Sequence, residues 1–374
     1  MNHLFSFSRL FALLAKEMTQ MMRDRITFGM MIGIPLVQLA LFGFAINTDP
    51  KQLPAALVTT SQDQFTRAIV SALEVTNYYR FDYVGISAKD ADELMLEGKV
   101  SFIVTIPADL SKRVLRGDEP QILIEADASD PSASSGAVST LSTVAKQALT
   151  RALGTQSQQD SQLDIVVHRR YNPEGISQYN IVPGLLGVIL QLVMVMMTAM
   201  ALTREVERGT MENLLAMPAT PFEIMLGKIL PYLGVGAVQV IVILVAAKMV
   251  FHVPFVGSLA LLISGILVFI SSLVLIGYFI STVAGSQMQA MQMSFFFFLP
   301  SLMLSGFMFP FKGMPYWAQM IGEIFPLTHF LRLVRGVMLK GADLEAMRSP
   351  MLALMGFTII LVILSLARFR KTLD

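Results

Sequence analysis

MVFHVPFVGSLALLISGILVFISSLVLIGYFISTVAGSQMQAMQMSFFFFLPSLMLSGFMFPF, running from Met249 to Phe311, contains no Asp, Glu, Lys or Arg. The hydrocarbon core of a bilayer is about 30 Å thick, and a helix rising about 1.5 Å per residue crosses it in about 20 residues. The stretch is about three crossings long, so it must fold back on itself. Its cluster of small and polar residues, Gly285, Ser286 and Gln287, is the natural turn. That turn predicts helices near Ser258–Val283 and Met288–Phe309.

Four more apolar stretches lie outward from this one, at Phe28–Ile46, Ile176–Leu202, Ile229–Ala247 and Ser349–Ala367. Each is long enough for one helix, which makes six crossings. The composition agrees: 54% of the 374 residues are hydrophobic and 15% charged, where soluble domains carry about 45–50% and about 25%. Mean hydropathy is +0.62. A net charge of +1 gives no electrostatic case for nucleic acid as partner. The chain has no cysteine, which excludes disulfides, thiolate metal sites and cysteine nucleophiles. His3, His168, His252 and His329 are too scattered to form a helical metal motif, so no metal site is expected.

The first crossing follows Arg9, Lys16, Arg23 and Arg25, as a signal peptide would, but its apolar run exceeds a signal core and no A-x-A cleavage pattern follows. It reads as a permanent anchor. Residues 1–27 before it place Leu10, Leu14, Met18 and Met21 on one helical face. This suits an interfacial helix, or an extension of the first crossing.

Between the crossing at 28–46 and the next apolar run, residues 47–175 have the composition of a water-soluble domain large enough for its own core. Runs at Ala55–Val58, Phe81–Val84, Phe102–Ile106, Ile122–Ala126 and Ile165–His168 read as strands. Helical segments alternate with them, and Ser61 with Gln64 and Ser87 with Asp90 have the spacing of capping boxes. The fold class is therefore a membrane α-helical protein with six transmembrane helices and an α/β extracytoplasmic domain inserted between the first two. Gly117-Asp118 and Asp130-Pro131 read as turns, and Ser132–Ala152 as a long helix. Asp127 and Asp130, at a strand end, read as solvated turn formers rather than an acid/base pair.

Lys and Arg set the orientation. With both termini in the cytoplasm, Arg9, Lys16, Arg23, Arg25, Arg204, Arg208, Lys228, Arg368, Arg370 and Lys371 lie inside. Lys312, Arg332, Arg335, Lys340 and Arg348 argue the other way, since they fall in a short outer segment.

No G-x-x-x-x-G-K-[ST] and no G-x-G-x-x-G occurs, so the chain carries no recognisable phosphate cradle. The most informative inner segment is REVERGTMENLLAMP, Arg204–Pro218. Charges crowd its start, Met211, Leu214, Leu215 and Met217 supply an apolar face for a short helix, and Pro218 ends it. Thr220, Pro221 and Glu223 then supply an N-cap, first-turn proline and capping carboxylate for a helix running into the third crossing.

Arg204–Pro218 resembles the signature of type-2 ABC transporter permeases. So do LSGFMFP at Leu304–Pro310, MPYW at Met314–Trp317, PLTHFL at Pro326–Leu331 and RGVMLKG at Arg335–Gly341. The order of these motifs and the plan of one crossing, an external domain and five more crossings are similar to that family over essentially the whole chain. The nearest likeness is to bacterial multidrug exporter permeases.

The resemblance implies a permease subunit that binds no cofactor itself, with ATP and Mg on a separate cytoplasmic ABC ATPase. It implies pairing with a second permease, identical or paralogous, in the bacterial inner membrane, and leaves room for a periplasmic adaptor protein. Within residues 203–228 it makes Arg204, Glu205, Glu207, Arg208, Gly209, Thr210, Glu212, Leu214, Leu215 and Pro218 the coupling element that touches the ATPase. Residues 311–347 become an outer re-entrant region within the 176–374 membrane domain, with Tyr316 and Trp317 at the outer interface. Gln38, Gln191 and Gln239 lie mid-crossing, where polar side chains turn away from lipid. They are candidates for a substrate path, or for hydrogen bonds between helices. The cargo expected is hydrophobic or amphipathic. A secondary transporter is the alternative, disfavoured because the crossings hold no Asp or Glu for protons. A membrane receptor with an external sensing domain would need a cytoplasmic signalling domain, and only short cytoplasmic segments are expected.

Overall fold

A computed structural model of the chain describes residues 51–61, 63–116, 118, 120–129, 145, 164–207 and 221–371. The first crossing at 28–46, the interfacial helix at 1–27, the Asp130-Pro131 turn, most of the helix expected at Ser132–Ala152 and the coupling segment from Arg208 to Thr220 lie outside the described residues.

The α/β region runs β1 (Leu53–Val58), α1 (Gln64–Val75), β2 (Tyr79–Val84), α2 (Ala88–Leu96), β3 (Phe102–Thr105), α3 (Leu110–Arg116), β4 (Gln121–Asp127), β5 (Asp164–Arg170). All five strands expected from apolar runs are present, with ends shifted by at most two residues. The strand order is β2-β1-β3-β4-β5. Pairs β1–β2, β1–β3 and β4–β5 are parallel, and β3–β4 is antiparallel. Helices α1 and α2 complete the parallel crossovers; Ile69 and Leu73 of α1 are enclosed with Phe102, Ile122 and Ile124 in one core, and Ala91 and Met95 of α2 pack on Ala56 and Ile103 in another.

Capping at the start of α1 differs from the sequence expectation. Asp63, not Ser61, is the N-cap, and its Oδ1 accepts from the Thr66 backbone N–H at 2.8 Å. Ser61 instead donates its hydroxyl to Asp63 Oδ2 at 2.9 Å. A carboxylate accepts this bond more strongly than a hydroxyl does and also suits the positive end of the helix dipole. At α2 Ser87 is the N-cap, as its spacing predicts.

The helical region comprises α4 (Ser177–Glu207), α5 (Pro221–Met249), α6 (Leu259–Val283), α7 (Gln287–Leu304), a 3₁₀ turn (Phe311–Gly313), α8 (Tyr316–Gly322), α9 (Pro326–Lys340) and α10 (Arg348–Lys371). Four of these, α4, α5, α6 and α10, are long and apolar enough to cross a membrane by length and composition. Helix α7 is not among them, because Gln287, Gln289 and Gln292 dilute its first half. The turn between α6 and α7 falls where the small polar cluster predicts it. Helix α7 ends at Leu304, earlier than the expected Phe309, because Gly306 adopts a left-handed φ of 86°.

Helix α6 is the central element, packed against α4, α9 and α10. A side chain at Gly277 would lie 2.7 Å from the Val195 carbonyl oxygen, so only glycine lets α6 and α4 approach this closely. Phe269 of α6 and Phe330 of α9 stack with ring centroids 4.1 Å apart. Val238, Ile241, Val242 and Val245 of α5 are exposed in the single chain, as a lipid-facing or subunit-facing surface would be.

Candidate functional site

Two places gather the polar chemistry, one at each end of α6. Its N-terminal end is tied to α9, where the Val256 N–H donates to the Met338 carbonyl at 3.0 Å. Its C-terminal end leads through Ser286 to Gln287. With 25 residues, α6 separates the two places by about 37 Å.

At the Gln287 end, the last turn of α4 meets the first turn of α7. The Gln287 backbone N–H donates to Glu207 Oε1 at 2.7 Å, and its side-chain amide donates to Glu207 Oε2 at 2.6 Å. Arg204 Nε donates to Gln287 Oε1 at 3.3 Å. Glu207 therefore satisfies an orphan N–H at the start of α7 and places negative charge against its dipole. This contact was invisible in the sequence, which read Arg204 and Glu207 only as outward-facing members of a coupling element. Side chains of Arg208, Gly209, Thr210, Glu212, Leu214, Leu215 and Pro218 lie outside the described residues, as does Gln38. Of Glu205, the backbone at the end of α4 is what the structure describes.

The other two mid-crossing glutamines sit within the bundle. Gln191 of α4 is fully buried, and its Oε1 accepts from Ser301 Oγ of α7 at 3.1 Å. Gln239 of α5 is half-buried, with no hydrogen-bond partner for its Oε1 among the described residues.

At the opposite end, the α/β region is joined to α9 and to the 3₁₀ turn. Lys340 donates to Asp127 Oδ2 at 2.5 Å and to the Met95 carbonyl at 3.2 Å, and its ammonium lies 5.2 Å from the Tyr171 ring centre. Asp127 is thus not a solvated turn former, as its place at a strand end suggested. Burial pushes its carboxyl up, but the Lys340 charge, with bonds from Lys340 and Ser129, holds it below the ordinary carboxylate value. Lys312 donates to Ser101 Oγ at 3.3 Å. Burial pushes its ammonium down to about 7, with the Asp127 charge acting the other way.

The five cations that argued against the orientation all border one cavity of about 890 Å³ at this junction. Four of them are engaged by the protein itself. Besides Lys340 and Lys312, Arg332 pairs with Glu323, and Arg335 donates to the Gly306 carbonyl at 3.0 Å. Among the described residues, no group of three or more His, Asp or Glu is arranged to hold a metal ion.

The motif residues of 304–341 have structural work here. Gly306 turns its carbonyl to Arg335, Thr328 Oγ1 donates to the Gly322 carbonyl at 2.6 Å, and His329 Nε2 lies 2.8 Å from the Glu323 carbonyl oxygen. Gly341 ends α9 with a φ of 67°, a left-handed cap that follows Lys340, the last residue of the helix.

The profile described as ABC-2 family transporter protein matches residues 25–367. The chain is 29% identical over 388 residues to "Probable multidrug ABC transporter permease YbhS" of Escherichia coli (strain K12), covering 100% of both chains. It is 26% identical over 365 residues to "Probable multidrug ABC transporter permease YbhR" of the same strain, covering 98% of this chain and 99% of the other. To "Inner membrane transport permease YhhJ", also from that strain, it is 30% identical over 334 residues, 86% of each.

Proposed function

The chain belongs to the ABC-2 family of transporter proteins, and from that premise we propose that it is the membrane subunit of an ATP-driven exporter whose motor is a separate polypeptide. Six transmembrane helices, counting Phe28–Ile46 and α7, carry the α/β domain outside and leave both termini in the cytoplasm of a bacterial inner-membrane protein. A cytoplasmic ABC ATPase docks on the element that starts at Arg204 and Glu207 and continues to Pro218, and a second permease completes the path. The cargo is a hydrophobic or amphipathic compound, drugs included, in keeping with the multidrug permeases it resembles.

The observation that supports this most directly is the separation of the two polar ends. The α/β region is bound to α9 through Lys340 and Asp127, while Arg204, Glu207 and Gln287 lie a full α6 length away. An arrangement with the soluble domain at one face and the coupling residues at the other fits delivery away from the ATPase. Gln239 is proposed to face the path once two permeases meet, with Gln38 beside it, and Gln191, enclosed within the single chain, to reach the path only when α4 and α7 part.

The deciding experiment reconstitutes the permease with its ATPase in vesicles and follows accumulation of a fluorescent amphipathic compound. ATP-dependent accumulation is expected. Accumulation that follows an imposed proton or sodium gradient and ignores ATP would overturn the reading. Topology is tested separately, since the chain has no native cysteine. A cysteine at Lys89, exposed on α2, is expected to react with an impermeant thiol reagent outside intact cells, and one at Glu212 is not. The reverse pattern removes the orientation.

A further inference from the structure

The cavity between the α/β region and the ends of α7 and α9 is bordered by six Lys or Arg and four Asp or Glu side chains. Three acids are matched within its wall: Glu97 by Lys99, Glu323 by Arg332, and Asp127 by Lys340. The fourth, Glu345, shares the wall with Lys312, Arg335 and Arg348. The wall therefore carries more positive than negative charge, in a space partly shut off from water.

Lys312 is the least compensated. An ammonium has three donors, and among the described residues Lys312 makes one hydrogen bond, to a neutral hydroxyl. Asp127, the acid whose charge acts on it, is already held by Lys340. Lys340, Arg332 and Arg80 all act with burial to push its ammonium down. A half-buried cation in this position gains more from an incoming anion than a surface lysine does. The cavity also has apolar walls, from Phe311, Leu331, Met347 and Leu352. Its volume is within the range of sites for small organic molecules.

We propose that this cavity binds the anionic head, phosphate or carboxylate, of an amphipathic molecule, with Lys312 and Arg348 facing the head and Phe311, Leu331 and Leu352 against the apolar part. Binding of this kind is an equilibrium property of the permease alone, so it stands or falls separately from the direction and energy source of transport. It also carries a proton linkage. A bound anion favours the charged Lys312, so affinity is fully expressed below pH 7 and weakens as pH rises above it.

The test uses the full chain in nanodiscs of neutral phosphatidylcholine, with calorimetric titration of hexyl phosphate, inorganic phosphate and hexyltrimethylammonium at pH 6.5. Hexyl phosphate is expected to bind, inorganic phosphate to bind more weakly, and the cation not to bind. Equal affinity for inorganic phosphate would overturn the assignment to an amphipath, and binding of the cation would overturn the site. Hexanesulfonate, whose own charge does not change, is expected to bind more weakly at pH 9 than at pH 6.5. Lys312→Met should lower anion affinity by about tenfold or more, the worth of a charge-assisted bond. Lys312→Arg should keep affinity at pH 6.5 and lose the pH dependence. If Lys312→Met does not fold, Arg348→Gln, at the exposed rim, decides; unchanged affinity in that variant would remove the proposal.

Discussion

Lys340 and Asp127, at the sheet end of the bundle, have side chains 7% and 13% exposed, whereas Glu207 meets Gln287 at the surface. The same kind of bond means different things in these two settings. A buried ion pair is held in place because each partner without the other would be a desolvated charge. An exposed bond exchanges readily with water, so it contributes little and breaks easily. The sheet end is therefore fixed to the bundle, while the Glu207 end can rearrange at small cost, as suits an element another protein must push.

The largest expected effect comes from breaking the fixed end. Asp127→Ala leaves Lys340 buried without its counter-charge and should cost roughly 3–5 kcal/mol, read as a lowered unfolding midpoint in detergent. Replacing both partners by apolar residues, Asp127→Leu with Lys340→Met, should recover most of that loss. A double variant as unstable as the single one would show that the pair matters through its geometry and not through an orphaned charge.

At the loose end the expected effect is smaller. Gln287→Ala keeps the backbone bond to Glu207 but removes the side-chain amide bond and the Arg204 contact, and should cost about 0.5–1 kcal/mol. It also separates two roles of Glu207. Glu207→Lys is expected to weaken co-purification with the ATPase through like-charge juxtaposition at the docking surface, and Gln287→Ala to leave the complex intact. Equal losses in the two variants would mean that Glu207 acts within the chain, not across the interface.

These ends differ as much in how far the sequence disclosed them. Strands β1 to β5 and helices α4 to α6 and α10 were legible because period and length are local properties, read within one window. The turn at Gly285 to Gln287 was legible for the same reason, since nothing else interrupts the uncharged run. Asp127 and Lys340 were not, because 213 residues separate them and each by itself has an ordinary surface reading. Lys340 was read as an outer cation against the expected orientation, and the structure adds that it is paired with Asp127. The motif Arg335–Gly341 was visible as a resemblance, but the sequence did not show that its lysine, Lys340, reaches Asp127 in the α/β region. Glu207 failed differently: its placement in a coupling element was one reading, and the capping contact with Gln287 depends on how α6 returns the chain.

Gln191 probes the interior between the two ends. Its bond to Ser301 joins α4 and α7, and such bonds inside membrane bundles contribute about 0.6 kcal/mol on average. Gln191→Leu should therefore change stability only slightly. If the residue faces the path in the paired permease, the rate or affinity of transport should change far more than the unfolding midpoint does. A variant with unaltered transport kinetics would leave Gln191 with the helix-joining role alone.

The smallest expected effect lies in the α/β region, at the start of α1, where it tests whether that region responds to acid by itself. Burial pushes the Asp63 carboxyl up, but the Ser111 hydroxyl nearby and the bonds from the Thr66 backbone N–H and the Ser61 hydroxyl outweigh it and bring the carboxyl down to about 2. A folded value below the unfolded one, about 3.9, means the charged cap stabilises fully above that unfolded value. The contribution is then lost as pH falls toward 2. Asp63→Asn keeps a good N-cap, since asparagine caps about as well as aspartate, so the midpoint at pH 7 should hardly move. Between pH 4 and pH 2, the wild type should lose stability more steeply than Asp63→Asn, measured by hydrogen exchange at the amides of α1. Parallel slopes in the two proteins would show that the bonds around Asp63 act on its position and not on its proton.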